Sequence, residues 1–576
     1  MTHQTVADEL VDTLARAGVE RVYGIVGDSL NPITDAIRRS GELTWVHVRH
    51  EETAAFAAGA EAQLTGRLTA CAGSCGPGNL HLINGLFDAH RSMAPVLAIA
   101  SQIPSSEIGT AYFQETHPDQ LFRECSHYCE LISNARQMPR VLQIAMQHAI
   151  SKRGVSVIAL PGDIAAAPIP SAVLSHGVMA SRPVVRPGED ELNQLADLLN
   201  AADTVTLFCG SGCAGAHDEV LKLAEALKAP VGYAYRGKEW IQYENPYEVG
   251  MSGLIGFGAA YRAMHECDVL LLLGTDFPYE AFMPTRVKIV QVDIRAEHLG
   301  RRSRLDLGMC GDVRETVRAL LPRLEAKKNR NHLDAMLALQ SEMSRKLRVY
   351  VDHVGKHRPI HPEYVAATLN EVASDDAVFT VDTGMCNVWE ARYIRAAKER
   401  RFLASHSHGS MANALPQAIG AQCAYPGRQV ISVSGDGGFT MLMGDFLTLT
   451  QHDLPVKVVV FNNGALGMIK LEMRTAGFPE WQTDNKNPDF AKMAGAMGVL
   501  GIRIEDPADV RTGLQKALAH RGPALVDVVT DSNALSIPSH FTLGQAEGFA
   551  LAMATMSLTG HIDEVVATIE SNVRNI

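Results

Sequence analysis

Short runs rich in Val, Ile and Leu, each bounded by Gly, Pro or Asp, recur along the chain and alternate with stretches of helical periodicity. Strands that are apolar at successive positions are buried on both faces, the condition of a parallel sheet covered by helices. The first group is VERVYGIVG (19–27), LTWVHV (43–48), LTACAG (68–73), PVLAIAS (95–101) and VSVIALPGD (155–163). A second group holds TVTLFCGSG (204–212), PVGYAY (230–235), VLLLLGTD (269–276) and KIVQVDI (288–294). A third holds AVFTVD (377–382), QVISVSGD (429–436), KVVVFNN (457–463) and ALVDVVTD (524–531). The pattern predicts an α/β chain of three consecutive doubly wound parallel-sheet domains, 1–180, 181–335 and 336–531, followed by a tail, 532–576. Residues 165–187, with Pro and Ser but no periodicity, read as a linker, and EAKKNRNHLD near residue 330 reads as a solvated connection. Three sheets of one class in series suggest duplicated architecture, without a residue-level repeat.

Composition narrows the partners. A chain of 576 residues is too long for one core, and 46% hydrophobic with 20% charged residues is ordinary globular composition. A formal net charge of −12 with Lys and Arg scattered argues against nucleic acid and for small molecules. The opening MTHQTVADELVDTLARAG reads as an amphipathic helix and not as a secretory signal, and no run of 18 apolar residues suggests a membrane span. Ten cysteines are too sparse for a disulfide scaffold. Cys71/Cys75, Cys125/Cys129 and Cys209/Cys213 lack CxxC partners and read as buried free thiols, not metal ligands.

The candidate chemistry begins at SGDGGFTMLMGD (434–445). A parallel strand that ends in glycines and opens a helix collects free backbone N–H groups where phosphate binds. An acid there repels phosphate unless a cation lies between, so Asp436 reads as a Mg2+ ligand bridging the protein to a diphosphate. Asn463 ends the next strand and offers a second hard oxygen. GDGG or NN-G alone is an ordinary turn; the pair on successive strands resembles the GDG…NN signature of thiamine diphosphate enzymes.

That resemblance implies a third metal ligand, the Ala465 carbonyl, and a glutamate that primes the aminopyrimidine. In VRHEETAAFAAGA, Glu51 follows a strand and opens a small-residue helix, the matching position. AGSCGPGNLHLINGLFDAHR (72–91), IPSSEIG (103–109), YFQETHP (112–118), FRECSHYCE (122–130), CGSGCAGAH (209–217), GLIGFG (253–258), FPYEAF (277–282) and HGSMANALPQAIGAQ (408–422) extend the likeness over essentially the whole chain. Within the thiamine diphosphate enzymes it looks similar to the quinone-dependent pyruvate dehydrogenases.

The family implies pyrimidine-binding, FAD-binding and diphosphate-binding domains in that order, with the cofactor between the first domain of one subunit and the third of another in a tetramer. Thiamine diphosphate would then meet Thr383, Gly384, Gly409, Ser410, Met411 (a wedge beneath the cofactor), Asp436, Gly437, Gly438, Asn463, Ala465, Leu466, Gly467 and Met468. Phe113, Gln114 and Met468 would line the substrate, Met468 standing where the best-known member of the family has an aromatic gate. FAD would meet Ser252, Gly253, Leu254, Ile255, Thr275, Asp276, Phe277, Pro278 and Tyr279, with Asp293 on a ribose hydroxyl. The implied reaction is oxidative decarboxylation of pyruvate to acetate and CO2, with electrons passed through FAD to a membrane quinone.

An acetolactate synthase-type carboligase is the rival within this fold; its usual RHEQ and GPGATN stand here as RHEET and GPGNLH, which favours oxidation. A phosphate-using pyruvate oxidase that reduces O2 is closer, and the tail argues against it. In HIDEVVATIESNVRNI, Ile562, Val565, Val566, Ile569, Val573 and Ile576 share one helical face. The resemblance implies that this tail docks on lipid at the inner face of the cell membrane, from a cytoplasmic enzyme; the alternative is that the stripe packs on the enzyme body, and the two states can alternate. Its polar face, Asp563, Glu564 and Glu570 against Arg574, predicts weak attraction to anionic lipid.

Overall fold

A computed structural model describes residues 4–169, 177–181, 183–352, 357–534, 536, 550–553, 565, 566, 568, 571 and 572. The first domain holds strands β1 (Arg21–Gly24), β2 (Thr44–His47), β3 (Thr69–Gly73), β4 (Val96–Gln102), β5 (Tyr128–Leu131) and β6 (Val155–Pro161). The second holds β7 (Val205–Cys209), β8 (Val231–Tyr233), β9 (Glu248–Met251), β10 (Val269–Leu273), β11 (Lys288–Asp293) and β12 (Leu307–Cys310). The third holds β13 (Val378–Val381), β14 (Arg401–Ala404), β15 (Val430–Gly435), β16 (Lys457–Asn462), β17 (Leu500–Ile504) and β18 (Ala524–Val529). Each domain is one six-stranded parallel sheet between helices, as the continuous apolar runs require.

The strand orders show where the duplication lies. The first sheet runs β2-β1-β3-β4-β6-β5 and the third β14-β13-β15-β16-β18-β17, the same order. The middle sheet runs β12-β11-β10-β7-β8-β9, which is the dinucleotide-binding order with its reversal between β7 and β10. The two outer domains are one architecture used twice, and the central one is different.

The outer domains share a core in which Tyr23, Val46 and Leu86 join Val378, Leu403, Ile419 and Phe446. Small residues make this possible. In the Glu51–Thr65 helix, Ala54, Ala55, Ala57 and Ala58 are fully buried, and the Ala414–Ala424 helix lies so close that a Cβ on Gly420 would collide with the Ala57 carbonyl. Gly420→Ala is therefore expected to cost about 3 kcal/mol by overpacking, read as a lower urea midpoint; an unchanged midpoint would mean that the helices part freely.

The central domain is seated on the third by a buried ion pair, Lys238 Nζ to Glu390 Oε1 at 2.7 Å, with Tyr235 donating its hydroxyl to the same carboxylate. Arg392 donates to the Ile255 and Gly256 carbonyls, both at 3.2 Å. The connection expected near residue 330 opens the Asn331–Leu347 helix, whose buried Met336 and hydrogen-bonded Gln340 pack on the central domain. That unit thus carries its helix past residue 335, because the apolar face needs cover.

Among the described residues no helix is long and apolar enough to cross a membrane, and all ten cysteines are free, nine of them buried. Of the tail's apolar stripe, Ile562, Ile569, Val573 and Ile576 lie outside the described residues, as do Asp563, Glu564, Glu570 and Arg574. The described tail residues include apolar Ala534, packed in the third-domain core, and buried Ala552, as well as polar groups. Thr568 accepts from Arg474 Nη1 at 3.2 Å, Ser571 donates to Asp531, and Asn572 donates to the Asn533 carbonyl at 2.8 Å, while Val566 is exposed.

Candidate active site

Four neighbouring strands of the third sheet, β14-β13-β15-β16, end in the loops that carry most of the expected cofactor residues. Gly409–Met411 follows β14, Thr383 and Gly384 follow β13, Asp436–Gly438 follows β15, and Asn463–Met468 follows β16. Register places Gly435 beside Phe461, so Asp436 and Asn463 leave the sheet at adjacent points.

Asp436 opens the Asp436–Met441 helix and is only 1% exposed. Its Oδ2 accepts from Asn487 Nδ2 at 2.5 Å and from Asn485 Nδ2 at 3.2 Å. Asn487 also donates to Asn462 Oδ1 at 2.9 Å, and Asn462 donates to Asp527 Oδ1 at 2.9 Å. These donors to Asp436 are neutral, and burial raises its carboxyl above the ordinary range. A buried carboxylate with neutral donors gains from a cation, so the residues fit a divalent metal. Asn463 Oδ1 accepts the Ala465 N–H at 3.1 Å, which keeps the second hard oxygen and the Ala465 backbone together.

The segment Thr483–Asn487 closes over this loop and was not singled out from the sequence. Leu466 N–H donates to the Thr483 carbonyl and Asn485 N–H to the Gly464 carbonyl, each at 2.7 Å. The available signal was TDNKN ahead of Pro488, with amides at alternate positions 485 and 487, the spacing that puts both side chains on one side of an extended strand.

Behind the glycines stands a second buried acid. A Cβ on Gly438 would collide with Asp382 Oδ2, an oxygen without a hydrogen-bond partner. Burial pushes the Asp382 carboxyl up to about 7, while Thr383 N–H donates to its other oxygen at 3.1 Å. A Cβ on Gly437 would stand 2.8 Å from Leu466 Cδ2 and 3.5 Å from Met411 Cε, so these two side chains converge above the turn. Met468 is half-buried against the third-domain core.

The first domain presents a second group at the ends of β2, β3 and β4. Glu51, the first residue of the Glu51–Thr65 helix, is buried, and its Oε2 lies 2.9 Å from His81 Nδ1. The His81 ring stacks on His50 with centroids 4.3 Å apart. Cys75 Sγ–H donates to Gln114 Oε1 at 3.4 Å, and Gly76 backs onto Gln114. His81 and Cys75 were missed as individual site residues. The Gly76–Gly78 turn after β3 occupies the place that Gly435–Gly438 occupies after β15, a correspondence visible only once the strand orders match. Phe113 is 78% exposed, so this chain alone does not enclose it.

In the central domain, Gly210 and Gly212 pack against Gly274 at the reversal between β7 and β10, the crevice where dinucleotides bind in this order. Of the expected residues, Ser252–Ile255 and Thr275–Tyr279 come together: a Cβ on Gly253 would lie 3.1 Å from Phe277 Cε2. The Ser252 hydroxyl is buried without a partner. Leu254 and Pro278 are exposed, and Tyr279 is exposed at the rim. Asp276 is engaged by Arg301 and by Arg302 Nε at 3.3 Å. Asp293 ends β11, accepts the Arg295 N–H at 2.9 Å, and has its carboxyl raised by burial.

Asp88 joins the outer domains, accepting from Ser405 Oγ at 2.7 Å and Gln417 Nε2 at 3.3 Å, and burial pushes its carboxyl up to about 6. A folded-state value above the unfolded one means that stability falls as pH rises between about 4 and about 6. Asp88→Asn is expected to flatten the melting temperature over that window; a variant with the wild-type slope would contradict this.

Three α/β sheets, two of one order flanking a dinucleotide-type third, with glycine turns and buried acids at the strand ends, define a class of enzyme that works through bound cofactors. Successive parts of the chain match the thiamine pyrophosphate enzyme N-terminal TPP binding domain over residues 4–121, the central domain over 192–320 and the C-terminal TPP binding domain over 382–528. The chain belongs to the thiamine pyrophosphate enzyme family. It is 31% identical to pyruvate oxidase of Lactiplantibacillus plantarum, over 90% of this chain and 87% of that one. It is also 31% identical to acetolactate synthase of Arthrospira platensis, over 91% and 94%. An uncharacterized 42.6 kDa protein of Pseudomonas amyloderamosa is 61% identical over 59% of this chain and 86% of its own.

Proposed function

We propose that this enzyme oxidatively decarboxylates pyruvate, using thiamine diphosphate, Mg2+ and FAD, and hands the electrons to a membrane quinone. The balance is pyruvate plus water plus quinone giving acetate, CO2 and quinol. The observation that carries the reading is Asp436, buried, held by neutral amides and set beside Asn463, in a chain whose central sheet has the dinucleotide-binding order.

When bound, thiamine diphosphate supplies the electron sink for decarboxylation and FAD accepts the electron pair. The chain's own residues do the rest. Asp436, Asn463 and the Ala465 carbonyl hold the metal; Thr383, Gly384, Gly437, Gly438, Leu466 and Gly467 frame the diphosphate; Gly409, Ser410 and Met411 seat the aminopyrimidine. Glu51 holds a proton at the aminopyrimidine N1′. Gln114, steadied by Cys75, and Phe113 meet pyruvate, and Met468 bounds the entrance. Phe113, exposed in one chain, is covered when a second copy brings its third domain against it, so the working unit is a homo-oligomer, a tetramer of two such pairs. Ser252–Ile255, Thr275–Tyr279 and Asp293 hold FAD.

Lipid docking by residues 532–576 brings the cytoplasmic enzyme to the quinone. Support comes from the polar contacts by which Thr568 and Ser571 meet the body, and from Phe478 and Trp481. These aromatics, 63% and 73% exposed, flank Glu480, which is paired with Arg474; exposed aromatic tips suit a lipid interface. Incubation with pyruvate tests the reading through its products. Acetate with reduction of a soluble quinone supports it; acetyl phosphate with peroxide, or acetolactate, assigns the oxidase or the carboligase reaction instead.

A further inference from the structure

One face of the Pro77–Arg91 helix touches both the Glu51 turn and the loop proposed to hold the aminopyrimidine. His81 pairs with Glu51. One turn on, Asn84 Nδ2 donates to Glu52 Oε1 at 2.7 Å and to Ser410 Oγ at 2.8 Å, while its Oδ1 lies 2.8 Å from His408 Nε2. A turn further, Asp88 accepts from Ser405 Oγ, which in turn accepts the Ser410 N–H at 2.9 Å.

The loop needs such restraint. Gly409 and Ala412 both have left-handed backbone, φ 73° and 67°, and Ala412 carries a side chain that disfavours it. Strained conformations at functional loops persist when neighbouring structure over-determines them. Here Ser410 Oγ accepts from Asn84 and donates to the Met411 carbonyl at 2.8 Å, so the amide fixes the loop through one hydroxyl.

We infer that Asn84, through Ser410 and His408, is a positioning residue that sets the Gly409–Met411 loop for thiamine diphosphate and ties it to the turn carrying Glu51. The inference rests on the cofactor placement proposed above. No other side chain of the helix reaches from Glu52 to the loop among the described residues, and Asn84 uses three of its four hydrogen-bonding positions to do so.

The test is a double-mutant cycle on the full-length chain, stripped of cofactor and titrated with thiamine diphosphate in excess Mg2+ by calorimetry. Asn84→Ala and Ser410→Ala are each expected to weaken binding roughly five- to tenfold, and the double variant by less than the product, because both break one connection. Asn84→Asp, which keeps size and the acceptor for His408 but loses both donors, should weaken binding similarly. Melting temperatures of the cofactor-free proteins are measured alongside, since a merely structural role lowers them while leaving the two affinity losses to multiply. Multiplying losses, or unchanged affinity in Asn84→Ala and Asn84→Asp, would overturn the inference. A wild-type chain that ignores thiamine diphosphate would overturn the functional reading instead.

Discussion

Exchanging Glu51 for Gln is expected to leave thiamine diphosphate and flavin bound and to remove all but about one per cent of turnover, the scale of a lost general acid–base group. The substitution keeps the size of a buried side chain and still offers an oxygen or an amide to His81 Nδ1, 2.9 Å away, so the fold has little reason to change. What it loses is the proton-carrying group proposed to act at the aminopyrimidine N1′. The clean readout is a fall in kcat with the dissociation constant for thiamine diphosphate within a few-fold of wild type. Near-normal turnover would remove Glu51 from the mechanism.

Asp436→Asn should have effects of opposite sign on stability and on cofactor binding. In the metal-free protein the Asp436 carboxylate is buried among neutral amides, so neutralising it relieves a desolvation cost, and the variant should melt no lower than wild type. With Mg2+ and thiamine diphosphate present the order should reverse, because the anionic oxygen proposed to tether the metal is gone. The affinity for the metal–cofactor pair should fall by at least about 100-fold, more than the loss of a supporting outer contact produces. Manganese in place of magnesium makes the site readable by electron paramagnetic resonance. A variant that binds the pair normally, or that melts well below wild type before metal is added, would contradict the role given to this carboxylate.

The inner strands were legible because burial on both faces writes them as unbroken apolar runs, as in the VLLLL of β10. The five strands that the pattern missed, β5, β9, β12, β14 and β17, are all at sheet edges. β5, β12 and β17 are partly exposed along much of their length, β9 (EVGM) is interrupted by Gly250, and β14 (RFLA) offers only three apolar residues after the charged run KERR. The site divides in the same way. Asp436 and Asn463 could be read because each lies next to its strand end and the strands are neighbours. Asn485, Asn487, Asp382 and Asn84 act across loops and domains, and their importance lies in a hydrogen bond or a collision that spacing does not encode. Asp276 shows what a resemblance leaves out: its position matches, and only the structure adds that Arg301 and Arg302 engage its carboxylate.

A metal held by Asp436 and Asn463 is proposed to anchor thiamine diphosphate so that electrons from pyruvate reach a flavin on the central domain. An anaerobic absorbance spectrum of the purified full-length protein, recorded before and after pyruvate, tests it directly. Bound flavin that bleaches only when thiamine diphosphate and Mg2+ are both present, and recovers its colour on adding a quinone, is the predicted result. A colourless protein, or flavin that stays oxidised with every component supplied, would contradict it.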